Sequence, residues 1–424
     1  MDIELLAIVI FVLTYSLLMF LPKIRAYIAC SAAALFILIG IMPYEHAFFA
    51  VNWNVILMIA GTMGVVAQFI ESRMPSLLAD LIIEKCPNIK WAIISLSLFA
   101  GIISAFVDNV ATVLMVAPIA LDIAKKLHIS PINSVIAISI ASNLQGAATL
   151  VGDTTSILLG GYAGMDFLDF FVYHNRPGMF FIVQTSAVVA TLVLLMVFRK
   201  ERQPVDSHER TDVTDIFPSW LLAGMVLLLI LASFIPGKPS VTNGIICTSM
   251  FLIGMIRNAI QYRDQTVFRR GFTEVDYFTV FLLIGLFIVI GGLTEVGVVD
   301  DIAKIFLKIS GDNIFVIYTL LVWVSVALSA FIDNIPYIAT MLPVVQSVSG
   351  ILGVDPTVLY FGLLSGATLG GNLTPIGASA NIASLGILRK AGYEVSPGHF
   401  MQISIPYTLG AVMTGYILVW LFWS

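Results

Sequence analysis

Long apolar stretches, more than any alternating or helical periodicity, organise this chain. They run over 3–21, 26–42, 179–198, 220–235, 277–293 and 400–423, with few charges inside them. A run near 20 residues is long enough, as a helix, to cross a hydrocarbon layer of about 30 Å. In the first half the pattern predicts spans near 4–21, 26–43, 52–70, 132–165 and 178–198. Between the third and fourth lies an apolar segment, 91–127, too long for one crossing and too short for two with a turn. Asp108-Asn109 sits at its middle, which predicts a re-entrant helical hairpin turning at that pair. The fourth span is interrupted by Val151-Gly-Asp-Thr-Thr155. The second half repeats the plan, with a hairpin over 313–352 turning at Asp333-Asn334 and a span over 357–389 broken at Thr374-Pro-Ile-Gly-Ala378.

Composition supports this reading. Apolar residues make up 59% of the 424 positions and charged residues 11%, with a mean hydropathy of +1.00. Soluble domains carry about 25% charge, so the chain is expected to be an all-α polytopic membrane protein. A net charge of −5 without a basic stripe argues against nucleic acid as a partner. Cys30, Cys86 and Cys247 match no metal or redox spacing. There is no phosphate-binding loop to support ATP-driven pumping, and no nucleophile–base pairing that would suggest an enzyme. The N-terminus lacks the basic segment of a cleaved signal peptide, so the first run is expected to remain as a span.

The halves are copies. Ser104-Ala-Phe-Val-Asp-Asn109 recurs as Ser329-Ala-Phe-Ile-Asp-Asn334, an offset of 225 that Pro118/Pro343, Gly146/Gly371, Thr149/Thr374 and Gly152/Gly377 keep. Internal duplication is common among transporters. The expected organisation is a first repeat over 1–198, a polar cytoplasmic linker over 199–216 and a second repeat over 217–424. Five spans per repeat would turn the second upside down. With the N-terminus outside, 17 of the 21 basic residues fall in cytoplasmic segments, leaving Arg176, Lys238, Lys304 and Lys308 outside. That distribution obeys the positive-inside rule and puts both termini on the extracytoplasmic side.

Three acidic residues interrupt apolar stretches: Asp108, Asp153 and Asp333. An aspartate at a helix centre costs roughly 2.5–3.5 kcal/mol on insertion scales. The simplest role is as an N-cap for the helix leaving each hairpin tip, but asparagine or serine would cap without the charge. Tips and helix breaks also leave backbone groups unpaired, which lipid tolerates only around a buried or wet cavity. Carboxylates, hydroxyls and unwound carbonyls together make an oxygen cage suited to a cation or proton. The candidate ion- or substrate-binding residues are therefore Asp108, Asn109, Thr149, Gly152, Asp153 and Thr154 in one half. In the other they are Asp333, Asn334, Thr374, Gly377, Ser379 and Asn381. Asp108 and Asp333 are the candidate proton-coupling groups. Apart from a sodium ion at these residues, no cofactor or metal is implied.

The paired Ser-Ala-Phe-(Val/Ile)-Asp-Asn tips resemble the ion transporter superfamily, in its arsenite-pump and sodium–proton-antiporter branch. The segments 141–153 and 370–381 are similar to the melanosomal P protein of that branch. The resemblance covers nearly the whole chain. It implies a citrate-transporter-like fold, a homodimer, and elevator-type alternating access in which hairpins and broken helices move against a scaffold. The resulting expectation is an ion-coupled secondary transporter of a bacterial inner membrane, most simply a sodium/proton antiporter. Arsenite or antimonite efflux, and sodium- or proton-coupled transport of a citrate-like carboxylate, are the alternatives.

Overall fold

A computed structural model describes residues 3–126, 129–201, 203–204, 210–262, 273, 275–311 and 313–424. The linker 199–216 is thus described only in part, and its residues 202 and 205–209, like residues 1 and 2 of the N-terminus, lie outside the described set. The protein is almost entirely helical. In the first half the helices are α1 (Ile3–Phe20), α2 (Arg25–Ile39), α3 (Tyr44–Ala50), α4 (Trp53–Glu71), α5 (Met74–Ile83), α6 (Ile89–Ser104), α7 (Asn109–Lys126), α8 (Ile132–Gly146), α9 (Thr154–Ala163) and α10 (Met179–Val197). The second half holds α11 (Phe217–Ser233), α12 (Thr242–Tyr262), α13 (Tyr277–Glu295), α14 (Val298–Ser310), α15 (Ile314–Ser329), α16 (Asn334–Leu352), α17 (Thr357–Gly370), α18 (Ser379–Lys390) and α19 (Pro397–Trp423).

The expected hairpins are α6/α7 and α15/α16, and the expected broken spans are α8/α9 and α17/α18. Among the described residues seven helices are individually long and apolar enough to cross a membrane; α2 and α11 are apolar but shorter. Large side chains face outward along them: Leu38 of α2 and Leu421 of α19 are 84% and 68% exposed. Exposed apolar surface on this scale fits a lipid environment. Three helices were not anticipated. Helix α3 lies between the second and third spans, and α5 and α14 are short segments following α4 and α13. Helix α14 is amphipathic, burying Val298, Val299 and Ala303 while Asp300, Asp301, Lys304 and Lys308 fall at the remaining positions. A two-stranded hairpin, Val172–Tyr173 with Arg176–Pro177, turns on His174 and Asn175, both at positive φ. Arg176 Nη1 donates to the Phe422 carbonyl and Trp423 Nε1 to that of Pro177. The C-terminal end of α19 is thereby tied to this connection.

The repeats do not form separate bodies. Helix α4 of the first half packs against α12 of the second, while α13 of the second packs against α2 of the first. Gly61 and Gly285 make these crossings close. A Cβ on Gly61 would lie 2.4 Å from the Cys247 carbonyl carbon, and one on Gly285 2.6 Å from that of Ala29. The exchange is reciprocal, as at a two-fold interface. Near its centre Asn143 of α8 donates to the carbonyl of its own repeat mate, Thr368 of α17, at 2.8 Å.

Candidate functional site

Each hairpin tip is built the same way. The chain breaks after Ser104 or Ser329, passes through Ala-Phe-(Val/Ile)-Asp, and restarts at an asparagine. The interrupted span of the same half lies against that turn. Thr149 Oγ1 donates to the Ala105 carbonyl, and Thr374 Oγ1 to the Ala330 carbonyl. Glycine is required at the closest approach: a Cβ on Gly152 would sit 2.7 Å from the carbonyl oxygens of Ser104 and Ala105. On Gly377 it would sit 2.7 and 2.8 Å from those of Ser329 and Ala330. Such distances exclude any side chain. The same hydrogen bonds and the same close approach thus recur at an offset of 225.

The aspartates lie at the tips. Asp108 Oδ1 accepts from the amides of Val110 and Ala111 at 3.0 and 3.1 Å, capping α7. Asp333 Oδ1 accepts from the Ile335 amide at 3.2 Å, capping α16. The cap expected as the simplest role is present at both tips. Asp153 precedes α9, is 3% exposed, and accepts from Thr155 Oγ1 at 2.7 Å. Asp108 lies within electrostatic reach of Asp333 and Asp276, and Asp153 within reach of Asp108 and Asp333. Helix α7 packs against α18 of the other half, and Asn109 bonds Asn143, which bonds Asn372, so the tips of the two halves are brought together.

Between them lies a buried polar layer. Asn109 Nδ2 donates to Asn143 Oδ1 at 2.8 Å, and the Asn109 carbonyl accepts from Ser142 at 2.9 Å. Asn143 also donates to Asn372 Oδ1 at 3.1 Å. Thr155 and Thr368 hydroxyls meet at 3.1 Å. Position 368, the repeat mate of Asn143, is threonine, and Asn334, the mate of Asn109, has a buried Nδ2 without a hydrogen-bond partner among the described residues. Unsatisfied buried amides are uncommon. Asn381 ties up the second break, donating to the carbonyls of Gly371 and Thr374 and accepting from Ser139 at 2.8 Å. Thr149, Thr374 and Asn381 thus hold tips and breaks in place. Thr154 opens α9, but the hydroxyl on Asp153 comes from Thr155. Ser379 Oγ donates to Asp333 Oδ2 at 2.8 Å.

Two charged residues of this neighbourhood were not anticipated. Asp276 caps α13, accepting from Phe278 and Thr279 amides and from Thr279 Oγ1. Arg25, at the start of α2, forms an ion pair with Asp333 Oδ2 and lies over the Phe278 ring. Tyr15 of α1 reaches the same element, donating to the Pro336 carbonyl at 2.8 Å and meeting Thr340. Among the described residues the first tip has no such polar clasp: Val107 and Ala111 pack with Val66, Phe69 and Leu222. Among the described residues no basic side chain pairs with Asp108, and no three His, Cys, Asp or Glu side chains converge as metal ligands. A cavity of about 1370 Å³ lies elsewhere, between α4, α9, α13 and α16, with Asn52, Tyr162, Asp166, Lys238 and Glu295 on its walls.

Comparison with known proteins agrees with this architecture. The CitMHS citrate transporter family model matches residues 15–366, and the chain belongs to that family. An uncharacterized transporter of Mycobacterium tuberculosis is 30% identical over 427 residues, covering 98% of this chain and 97% of its own. The mouse P protein is 26% identical, covering 92% of this chain and 56% of its own. Among solved structures, the YdaH transporter of Alcanivorax borkumensis superposes with a TM-score of 0.59 at 15% identity, over 91% of this chain and 87% of its own. The Neisseria gonorrhoeae MtrF structure, from a class of antimetabolite efflux pumps, gives 0.58 at 17% identity over 91% and 83%. At those identities the likeness is one of fold. The protein is a polytopic membrane transporter of the citrate transporter family.

Proposed function

We propose that this transporter couples cation movement to protons, most simply as a sodium/proton antiporter, through its paired Asp-Asn tips. The observation that carries this reading is Asp108: a half-buried carboxylate with one oxygen held by two backbone amides and no basic partner among the described residues. Three further carboxylates, Asp153, Asp276 and Asp333, face the same region against one guanidinium. Net negative charge in a water-poor site favours a cation or proton. Asp108 and Asp333 are the charged groups of the two tips, and the hydroxyls and freed carbonyls around them are oxygen donors of the kind sodium takes.

The reciprocal packing of α4 on α12 and α13 on α2 supports two inverted repeats, 1–198 and 217–424, joined by a cytoplasmic linker. The basic-residue distribution supports extracytoplasmic termini in a bacterial inner membrane. The cavity between α4, α9, α13 and α16 supports an elevator motion of hairpins and broken spans against a scaffold; the homodimer is carried over from the family resemblance alone. A second reading is cation-coupled transport of a citrate-like carboxylate. The family name favours it, as does Arg25, whose buried Nε has no hydrogen-bond partner among the described residues. Reconstituted vesicles with an internal pH dye test both. Sodium or lithium alone should move protons in the first reading. Proton or sodium flux that requires citrate would establish the second, and a response to arsenite alone would refute both.

A further inference from the structure

The two tips are alike in backbone and unlike in charge balance. At the second, both carboxylate oxygens of Asp333 are engaged by the protein itself: Ile335 N–H on Oδ1, Ser379 Oγ and Arg25 Nη1 on Oδ2. At the first, Asp108 Oδ1 takes two amides, and among the described residues nothing donates to Oδ2. Position 378, the mate of Asp153, is alanine, so the second half also lacks the additional carboxylate. Arg25 does not belong to the second repeat. It reaches across from α2, on the helix pair that α13 joins, and is held there by the Phe278 ring and by Asp276.

We propose that Arg25 is a resident cation for the second tip, occupying the place beside Asp333 that a coupling ion would take, so that the first tip alone exchanges its cation. The inference rests on the cation-coupled reading above for the first tip. Its content is separate: one of two duplicated sites has been filled permanently by a side chain of the other repeat. A guanidinium is suited to this, since it stays charged at any working pH. It also explains how Asp333 is tolerated in a region where a buried unpaired charge is strongly unfavourable.

The test is thermal unfolding of the full-length protein in detergent, with sodium titrated against choline at constant ionic strength. A ligand that binds only the folded state raises the melting temperature as its sites fill. Wild type should show one saturable sodium-dependent rise, which Asp108→Asn removes. Arg25→Gln should melt lower in choline and gain a second saturable rise with sodium, because the ion now enters beside Asp333. Arg25→Lys should behave as wild type. The double variant Arg25→Gln/Asp333→Asn should regain the choline melting temperature and lose the second phase. An Arg25→Gln protein that folds and responds to sodium as wild type does would overturn the proposal. If Arg25→Gln does not fold, the double variant decides. Its folding with a wild-type sodium response supports a purely charge-balancing Arg25, and its failure to fold overturns it. A wild type without any sodium response would remove the reading of the first tip. A sodium phase appearing in Arg25→Gln would still establish the present inference.

Discussion

The two hairpin tips share a backbone and differ in their company. Ala105 and Ala330 accept the same threonine hydrogen bond, and Gly152 and Gly377 meet the same carbonyls. Yet Asp333 is gripped by Arg25 and Ser379, and its hairpin by Tyr15, while Asp108 has no basic partner among the described residues and its chain neighbour Val107 packs in an apolar cluster. The two halves keep a common scaffold for the site and differ at a few side-chain positions, which pair one aspartate with a guanidinium and leave the other without a basic partner among the described residues. Backbone geometry is hard to change one residue at a time, since each tip depends on several contacts at once. Side-chain charge is not under that constraint.

The largest expected effect falls on the open tip. Asp108→Asn should reduce sodium-driven proton movement in vesicles to the level of empty vesicles while inserting at wild-type amounts, because the amide keeps the cap and removes the charge. Retained exchange with an unaltered sodium requirement would erase the functional difference between the tips. Next come the clasps. Asp333→Asn leaves Arg25 buried without its anion, and such a break costs about 3–5 kcal/mol. A fall in melting temperature that Arg25→Gln reverses would tie the loss to the pair; no fall would show the pair to be dispensable. Gly152→Ala and Gly377→Ala should each destabilise by about 1–3 kcal/mol through overpacking against backbone, and by similar amounts, since the two sites are geometrically equal. Unequal losses, read from detergent melting curves, would show that the common backbone is not equally strained. Asp153→Asn should slow exchange without stopping it, because its mate Ala378 does without a carboxylate; complete loss would move the coupling role toward α9. The smallest effect is on orientation. A cysteine at the exposed Asp212 should leave transport unchanged and react with an impermeant reagent only after the cells are opened. Labelling in intact cells would invert the assignment of faces.

Hairpins, breaks and tips were legible because the repeat marked them twice, and because Asp-Asn inside an apolar segment has few ordinary explanations. Arg25 and Asp276 were not, since both sit at span ends where a charge is unremarkable. Nothing along the chain says that Arg25 meets a residue 308 positions away. Thr149, Thr374 and Asn381 were legible as polar groups at the breaks, but not as donors to particular carbonyls. A polar side chain in an apolar stretch can serve a ligand and can also satisfy the carbonyls that a helix break exposes; the bonds these three make are of the second kind. Helices α5 and α14 escaped notice because segments of 10 and 13 residues beside a span end look like loop in a hydropathy profile.

The crossing of α4 with α12 has a bearing on how the molecule is made. During synthesis the Gly61 face of α4 enters the bilayer well before Cys247 has been polymerised. At 5–20 residues per second the intervening chain takes roughly 10–40 s to appear. Throughout that interval a surface shaped for close backbone contact has only lipid or insertion machinery to touch. The first repeat is therefore an unfinished object when it leaves the ribosome. A premature stop in the linker would release a fragment with an unsealed face, a substrate for membrane quality control and not a half-transporter.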